Sequence, residues 1–230
     1  MTARALLLDV GVLLPPRYPR MIEYARSIDV DPGALLTVLL GVRPYDPDTL
    51  PAPLPDPESA RRRCDRGEAT WAQALEEIAA DFPRLCGKPW DAAGYGRFLA
   101  SGPGLAVRLD AARVVRDAAR SGCDVVVIAT GPAEFAAGMP VLVPDGARLV
   151  FTHELGVARP DPAIWAASAD AAGIATGPES WCIVADTWES VDALRGTVSG
   201  QPGGTAYWDA TANDSWVADV RDRLGLPACQ

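Results

Sequence analysis

The predicted fold is organised around residues 5–14, which read Ala5-Leu6-Leu7-Leu8-Asp9-Val10-Gly11-Val12-Leu13-Leu14. The apolar run that opens this stretch has the length of a buried strand, and the glycine that follows favours a turn. In an open α/β sheet, ligands bind beyond the carboxyl ends of the strands. A carboxylate that ends a first strand therefore makes Asp9 the leading candidate for chemistry. The simpler alternative is that Asp9 only caps the next helix or turn.

Composition indicates an ordinary globular protein. The chain has 230 residues, of which 49% are apolar and 22% charged, and this suits one good core with a smaller accessory domain. The formal net charge of -9 argues against a nucleic-acid partner, because binding a phosphate backbone requires Lys and Arg. A small anionic substrate stays compatible with this charge, since a local site can be positive on an acidic protein.

Cysteine usage and hydropathy predict the compartment. The five cysteines are widely spaced and the chain has one histidine, so neither a zinc site nor a disulfide framework is favoured. The N-terminal residues do not have the pattern of a secretory signal, and no segment reaches the roughly 18 apolar residues of a membrane span. We therefore expect a cytoplasmic protein with reduced thiols and no membrane partner. The basic residues are almost all arginine, with Lys88 the only lysine.

The stretch between residues 15 and 99 is predicted to be a helical insertion. Pro15, Pro16 and Pro19 forbid a helix directly after the first strand. A dense run of Pro and Asp predicts a solvated loop at residues 43–57. Apolar periodicity predicts helices over residues 21–28, 34–40 and 70–80, the last with Trp71, Leu75 and Ile78 on one face.

From about residue 105 onward the pattern alternates regularly. Strands are predicted at residues 124–130, 148–152, 181–186 and 205–208. Helices are predicted at residues 109–119, 162–172, 192–194 and 214–224. This alternation implies βαβ units and a parallel sheet that is covered on both faces. The predicted class is α/β, with a core of residues 1–14 and 100–230 and a helical domain of residues 15–99.

Polar residues follow four of the predicted strands. Asp9, Thr130 and Asp186 end three of them, and Arg159 comes after the strand at residues 148–152. If these ends converge, two carboxylates suit Mg²⁺, which prefers oxygen ligands. A hydroxyl and a guanidinium can bind phosphate oxygens. Such a site would let Asp9 attack phosphorus and form an aspartyl-phosphate while the metal neutralises charge.

The four segments, in this order and spacing, resemble the motifs of the haloacid dehalogenase-like (HAD) hydrolases. The matching segments are residues 8–13, 128–132, 152–164 and 183–187. The third of these, Thr152-His153-Glu154-Leu155-Gly156-Val157-Ala158-Arg159-Pro160-Asp161-Pro162-Ala163-Ile164, is the longest and most specific. Residues 66–71 also resemble the cap segment of that branch. The resemblance implies a Rossmannoid core with a small helical cap inserted after strand one.

The resemblance also assigns roles to individual residues. Asp9 would be the nucleophile and a magnesium ligand, with the Gly11 carbonyl and Asp186 as further ligands of the metal. Thr130 and Arg159 would be catalytic, and together with Gly131 they would bind the transferring group.

The chain departs from the motifs of the HAD phosphatases at several positions. Those enzymes carry a second Asp two residues after the nucleophile as general acid and base, whereas here that residue is Gly11, which cannot transfer a proton. Arg159 stands in place of the usual lysine. The acidic pair of the fourth motif is reduced to Ala185-Asp186, with Ser190 where an Asn or Asp is common. A metal bound at this site would have fewer oxygen groups around it, which lowers its affinity.

On this resemblance we expect Mg²⁺-dependent hydrolysis of a small phosphorylated metabolite. The sequence is also compatible with a homodimer. Three alternatives remain. The first is displacement at a carbon centre, as in dehalogenases, and the second is recruitment to another reaction in a biosynthetic pathway. The third is a catalytically degenerate binding or scaffold protein. Gly11, Ala185 and Ser190 favour the third, whereas the retained Asp9, Thr130, Arg159 and Asp186 oppose it.

Several other residues have simple interpretations. His153 is placed at a strand end or facing solvent, and Asp161 in a turn. The basic run at residues 61–63 is interpreted as a solvated helix face. Glu189 and Asp192 are interpreted as the exposed face of a helix, whereas Trp188 is a candidate for lining the site.

Overall fold

The computed structural model describes residues 4–14, 17–40, 56, 58–100, 107–187, 206–209 and 216–227. Within these residues a parallel sheet has five strands, β1 (Ala5–Asp9), β2 (Asp124–Ala129), β3 (Arg148–Phe151), β4 (Trp181–Ala185) and β5 (Ala206–Asp209). The strand order is β3-β2-β1-β4-β5, so the strand that carries Asp9 is the central one.

Helices precede and follow the strands of this sheet. Between β1 and β2 lie α1 (Arg17–Ser27), α2 (Pro32–Leu40), α3 (Ala60–Asp65), α4 (Trp71–Cys86), α5 (Ala92–Ala100) and α6 (Leu109–Arg120). Later in the chain come α7 (Thr152–Leu155), α8 (Ala163–Ala171) and α9 (Trp216–Arg223). Short 3₁₀ helices span Val10–Leu13, Ala133–Gly138, Pro140–Leu142 and Pro178–Ser180.

Alternate side chains of the strands build two cores, one on each face of the sheet. Leu6 and Leu8 of β1 pack with Val114 of α6 and Trp216 of α9 on one face. The intervening residues, such as Leu7, pack on the other face against α8. Successive residues of a strand point to opposite faces of the sheet. Because both faces are buried here, the strands appear in the sequence as unbroken apolar runs. The predicted α/β class, a parallel sheet with helices on both faces, is confirmed.

Residues 17–40 and 58–100, the helical insertion, have an apolar core of their own. Tyr24, Leu35, Ile78 and Phe82 are among its buried side chains. The insertion follows β1 and precedes the helix that leads back into the sheet, α6. The domain boundaries at residues 14/15 and 99/100 stay a prediction.

The insertion contains more helix than the sequence pattern predicts. Helix α1 begins at Arg17 with Pro19 in its first turn, where a missing N–H costs nothing, so the proline argument against an early helix is wrong. Helix α4 continues six residues beyond the prediction, to Cys86, and ends at left-handed Gly87. Its N-terminus agrees with the prediction because Thr70 and Gln73 form a capping box.

Further differences concern short elements. Helices α3 and α5 have six and nine residues, too few for a clear apolar period, and they were not predicted. A 3₁₀ turn directly follows β1, although prolines were expected to exclude a helix there. The predicted loop at residues 43–57, apart from Asp56, lies outside the described residues, as do Trp188, Glu189, Ser190 and the helix at 192–194. Among the helices described, none is long and apolar enough to cross a bilayer.

Candidate active site

The carboxyl edge of the three central strands brings together residues far apart in the chain. Asp9 ends β1 and is in register with Ile128 of β2, so Thr130 lies two residues beyond it on the neighbouring strand. On the other side Leu8 is in register with Val184 of β4, which places Asp186 at the same edge. The backbone N–H of Asp186 donates to Asp9 Oδ2 at 3.2 Å. The convergence that the sequence argument assumed is present in the structure.

Arg159 ties these residues into one cluster. Its Nη1 lies 3.4 Å from Asp9 Oδ2 and also forms an ion pair with Asp186 Oδ1. Its Nε donates to the Thr130 hydroxyl at 3.2 Å. A single guanidinium therefore contacts both carboxylates and the hydroxyl, through donors that its planar group holds in fixed directions.

All three charged side chains are buried. Asp9 is 0% exposed, and Arg159 and Asp186 are each 9% exposed. Burying ionised groups is costly unless they are paired, so the cluster is held by its mutual contacts. Asp9 and Asp186 both contact the one guanidinium of Arg159.

Gly11 lies under the carboxylate of Asp186. A Cβ added to Gly11 would come within 2.6 Å of Asp186 Cγ and still closer to one carboxylate oxygen. No larger residue fits unless Asp186 moves. The glycine at position 11 and the position of Asp186 therefore go together. The Asp186 carboxylate fills the space that a side chain at residue 11 would need.

Asp9 and Asp186 carry oxygen donors of the kind that magnesium prefers. Asp9 and Asp186 converge on one cationic nitrogen, and the Gly11 backbone lies directly beside the Asp186 carboxylate. Within the described ranges no cluster of three or more His, Cys, Asp or Glu side chains could hold a metal. Magnesium nevertheless needs only one or two carboxylates when substrate oxygens and waters complete its shell. The oxygen donors here meet that minimum.

Gly131 and His153 lie next to this cluster. The His153 Nδ1 is 3.2 Å from the Gly131 carbonyl oxygen, and Gly131 directly follows Thr130. His153 therefore lies just beyond the end of β3, in agreement with the predicted strand end, and it also contacts the loop of the candidate site. Asp161, by contrast, accepts a hydrogen bond from the Ala163 N–H at 2.9 Å, in agreement with the turn that was predicted for it.

The helical insertion contacts the core beside this loop. The Thr152 hydroxyl donates to the Asp65 carbonyl at 2.6 Å, and both residues are buried. The Trp71 N–H, at the start of α4, donates to the Glu134 carboxylate at 2.9 Å. Hydrogen bonds from the Glu134 N–H and the Trp71 N–H lower the pKa of Glu134 below its usual value, and the nearby His153 lowers this pKa further.

The basic run at residues 61–63 is less solvated than predicted. All three arginines are partly buried, and the Arg61 guanidinium lies 5.3 Å from the centre of the Trp71 ring, which in turn packs against Phe135. The stems and guanidinium planes of arginine cover apolar surface well, and a charge count ignores this property.

Sequence reasoning missed Thr152, Glu134 and the role of Gly67 in these contacts. A signal for the first was available, because Thr152 directly follows β3 and the ends of parallel strands meet at one edge of a sheet. No signal marked Glu134 or Gly67, since their partners lie 63 and more than 80 residues away along the chain.

Comparison with known proteins identifies the fold. No protein family matches the chain by sequence, and no curated protein does. Among solved structures, an HAD-like family hydrolase from Porphyromonas gingivalis superposes with a TM-score of 0.57 and 14% identity, covering 96% of this chain and 98% of that one. An HAD family enzyme from Bacteroides thetaiotaomicron, in complex with magnesium and inorganic phosphate, has a TM-score of 0.54 and 14% identity over 90% and 93% of the two chains.

A third similar structure is the L-2-haloacid dehalogenase from Xanthobacter autotrophicus with chloropropionic acid covalently bound. Its TM-score is 0.51 and its identity 16%, covering 89% of this chain and 76% of that one. These identities are too low to transfer an activity, but all three superpositions span most of the chain. The chain therefore has the haloacid dehalogenase-like fold.

Proposed function

We propose that this protein is a hydrolase that uses Asp9 as its nucleophile on small phosphomonoesters and requires Mg²⁺. The observation that carries this proposal is the buried cluster of Asp9, Arg159 and Asp186 at the carboxyl edge of the central strands. Asp9 contacts the backbone N–H of Asp186 and the Arg159 guanidinium. The same guanidinium donates a hydrogen bond to the Thr130 hydroxyl. Covalent catalysis by a carboxylate requires this kind of fixed orientation.

The charge of the cluster supports the requirement for a metal. Attack by Asp9 on a phosphate brings two anions together, beside the second carboxylate of Asp186. Asp9, Asp186 and the Gly11 carbonyl would hold the ion. When bound, Mg²⁺ supplies positive charge that offsets the repulsion and the charge developing on the phosphoryl oxygens. A similar fold from Bacteroides thetaiotaomicron is known with magnesium and inorganic phosphate, and this supports the same ligands here.

The chain's own residues then divide the work. An Asp9 carboxylate oxygen forms a bond to phosphorus as the bond from phosphorus to the ester oxygen breaks. Arg159 and Thr130 bind the phosphoryl oxygens, as charge-assisted and neutral hydrogen-bond donors. Water then attacks the aspartyl-phosphate at phosphorus, which releases inorganic phosphate and restores Asp9.

Gly11 sets a limit on this chemistry. The departing alkoxide needs a proton, and residue 11 has no group that can donate one. We therefore expect turnover to depend steeply on the leaving group, with aryl and acyl phosphates hydrolysed faster than alkyl phosphates, because general acid catalysis typically contributes about 10²–10⁴-fold.

The same observation favours a second candidate, displacement at a carbon centre. A halide leaves without a proton, so the glycine at position 11 is no handicap to that reaction. Attack on a neutral carbon also needs no second cation beyond the Arg159 guanidinium. The similar dehalogenase with a covalently bound chloropropionic acid supports this candidate.

One experiment tests both candidates. Phosphate release from aryl, acyl and alkyl phosphates is measured with and without Mg²⁺, and chloride release from 2-haloacids is measured in parallel. The wild type is compared with Asp9→Asn and with the control Asp145→Asn, at an exposed position before β3. We expect Mg²⁺-dependent phosphate release that falls by about 10⁴-fold in Asp9→Asn, because the nucleophile is lost, and not in the control.

Each other outcome has a definite meaning. Metal-independent chloride release that is lost in Asp9→Asn establishes the second candidate. Equal turnover in Asp9→Asn and the wild type rules out Asp9 as the nucleophile in either reaction. No turnover on any substrate contradicts both candidates and favours a binding role.

A further inference from the structure

Two consecutive residues, Thr152 and His153, join the helical insertion to the loop of the candidate site. They follow β3 and open the single-turn helix α7. Thr152 contacts the insertion through its side chain, whereas His153 contacts it through its backbone and contacts the site loop through its imidazole. The two residues thus form a junction of about one helical turn between two parts of the protein.

The imidazole of His153 fixes one end of the site loop. A carbonyl oxygen only accepts hydrogen bonds, so the contact of 3.2 Å with Gly131 requires the proton on Nδ1. The ring is further packed against Phe151, with the ring centres 5.3 Å apart. Gly131 is bonded directly to Thr130, whose hydroxyl accepts from Arg159. The imidazole therefore contacts the peptide next to Thr130, a proposed ligand of the transferring group.

The insertion lies close to the backbone of His153. Gly67 has a φ of 77°, and a Cβ on it would lie 3.2 Å from the His153 carbonyl carbon and closer still to the oxygen. The backbones can approach this closely only because residue 67 has no side chain. Two residues before Gly67, the Asp65 carbonyl accepts the buried hydrogen bond of Thr152.

We propose that His153 is a positioning residue, which holds Gly131 and Thr130 in their working position, and that docking of Asp65 and Gly67 on the Thr152-His153 backbone maintains this position. The effect of His153 on turnover rests on the proposed function. The coupling between the insertion and the site loop, through Thr152 and His153, does not. The insertion then does more than cover the site, because its placement sets the geometry of the residues that bind the transferring group.

The first test separates the hydrogen bond from packing. His153→Leu removes the Nδ1 donor, and His153→Asn supplies an amide N–H near the same place. We expect His153→Leu to lower kcat and kcat/KM together by about tenfold, which corresponds to 1.4 kcal/mol, and His153→Asn to stay within about threefold of the wild type. A role in stability alone would lower the free energy of unfolding of both variants and leave kcat unchanged, and that result overturns the proposal.

The second test needs no turnover. Gly67→Ala is compared with Gly87→Ala, since both glycines lie in the insertion with similar positive φ, 77° and 70°, but a Cβ on Gly87 would meet nothing within 4 Å. The two variants therefore carry the same backbone strain and differ in the contact with His153. The chain has a single histidine, so its imidazole signals in an NMR spectrum are unambiguous.

We expect the Nδ1 proton of His153 to exchange with solvent at least about tenfold faster in Gly67→Ala and at the wild-type rate in Gly87→Ala. Thr152→Val, which keeps the shape of the side chain and removes its hydroxyl, tests the other contact and should also accelerate the exchange. Equal exchange in all these proteins overturns the coupling. If phosphate and halide release are both absent, the proposed function fails while this measurement still decides the coupling.

Discussion

Two glycines allow different groups to approach the backbone closely. Gly11 lies in the turn directly after β1 of the sheet, and Gly67 lies in the helical insertion. Gly11 leaves space for the carboxylate of Asp186, a side chain that belongs to the charged cluster. Gly67 leaves space for the backbone carbonyl of His153, so the insertion approaches the core through main-chain atoms. The first region depends on the identity of buried charged side chains, whereas the second depends on small size and on hydrogen bonds to the backbone.

This difference teaches where the protein tolerates change. In the core, Arg159 pairs with both Asp9 and Asp186, so removing Arg159 takes a buried ion-pair partner from two carboxylates. At the junction, the contacts are the Thr152 hydroxyl on a carbonyl and the Trp71 N–H on Glu134. Single hydrogen bonds of this kind contribute about 1 kcal/mol each to stability.

The largest effect on stability is expected from Arg159→Met. The substitution leaves two buried carboxylates without the guanidinium that both contact, and breaking a buried ion pair costs about 3–5 kcal/mol. The free energy of unfolding, measured in urea at pH 7, should fall by that amount. The control is Arg84→Met in the insertion, where an exposed pair with Asp81 should contribute less than about 1 kcal/mol. Equal losses in the two variants would contradict the distinction between the two regions.

An intermediate effect is expected from Gly11→Ala. The new methyl group overlaps the Asp186 carboxylate, so that side chain must move away from Arg159 and Asp9. Overpacking of this kind costs about 1–3 kcal/mol of stability, and we expect turnover to fall with it. Gly138→Ala is the matched control, because a Cβ there would meet nothing within 4 Å. An active and fully stable Gly11→Ala protein would show that Asp186 has no fixed position over Gly11.

The smallest effect at neutral pH, and a growing one at alkaline pH, is expected from the core thiols. Burial raises the pKa of Cys123 and of Cys182 to about 12, from an ordinary value of 9.0. The unfolded thiols therefore release protons first, so their contribution to stability is complete below pH 9 and is lost as the pH rises from 9 toward 12.

Urea unfolding at several pH values checks this dependence. Cys182→Ala should lose about 1 kcal/mol less than the wild type between pH 8 and pH 10, because one buried thiol no longer titrates. A parallel loss in the two proteins would mean that Cys182 ionises as readily in the folded state as in the unfolded chain.

The core could be predicted closely because its signals are local. Apolar runs located β2, β3 and β4 to within one residue. Thr70 marked the start of α4 through its capping box, whereas the helix continues past Pro83 to Cys86, six residues beyond the predicted end. Helix α3 has only six residues and is held by contacts with other elements, so no periodic pattern could reveal it.

The chain order of Asp9, Thr130, Arg159 and Asp186 made their convergence a reasonable assumption, because the carboxyl ends of parallel strands lie at one edge of a sheet. The sequence by itself thus determined the class of fold and the residues of the cluster. Only the tertiary structure decided that Asp186 fills the space over Gly11 and that Gly67 rests on His153. Those facts depend on approaches of a few ångströms between segments separated by 175 and 86 residues, and no local pattern of hydrophobicity or propensity encodes such distances.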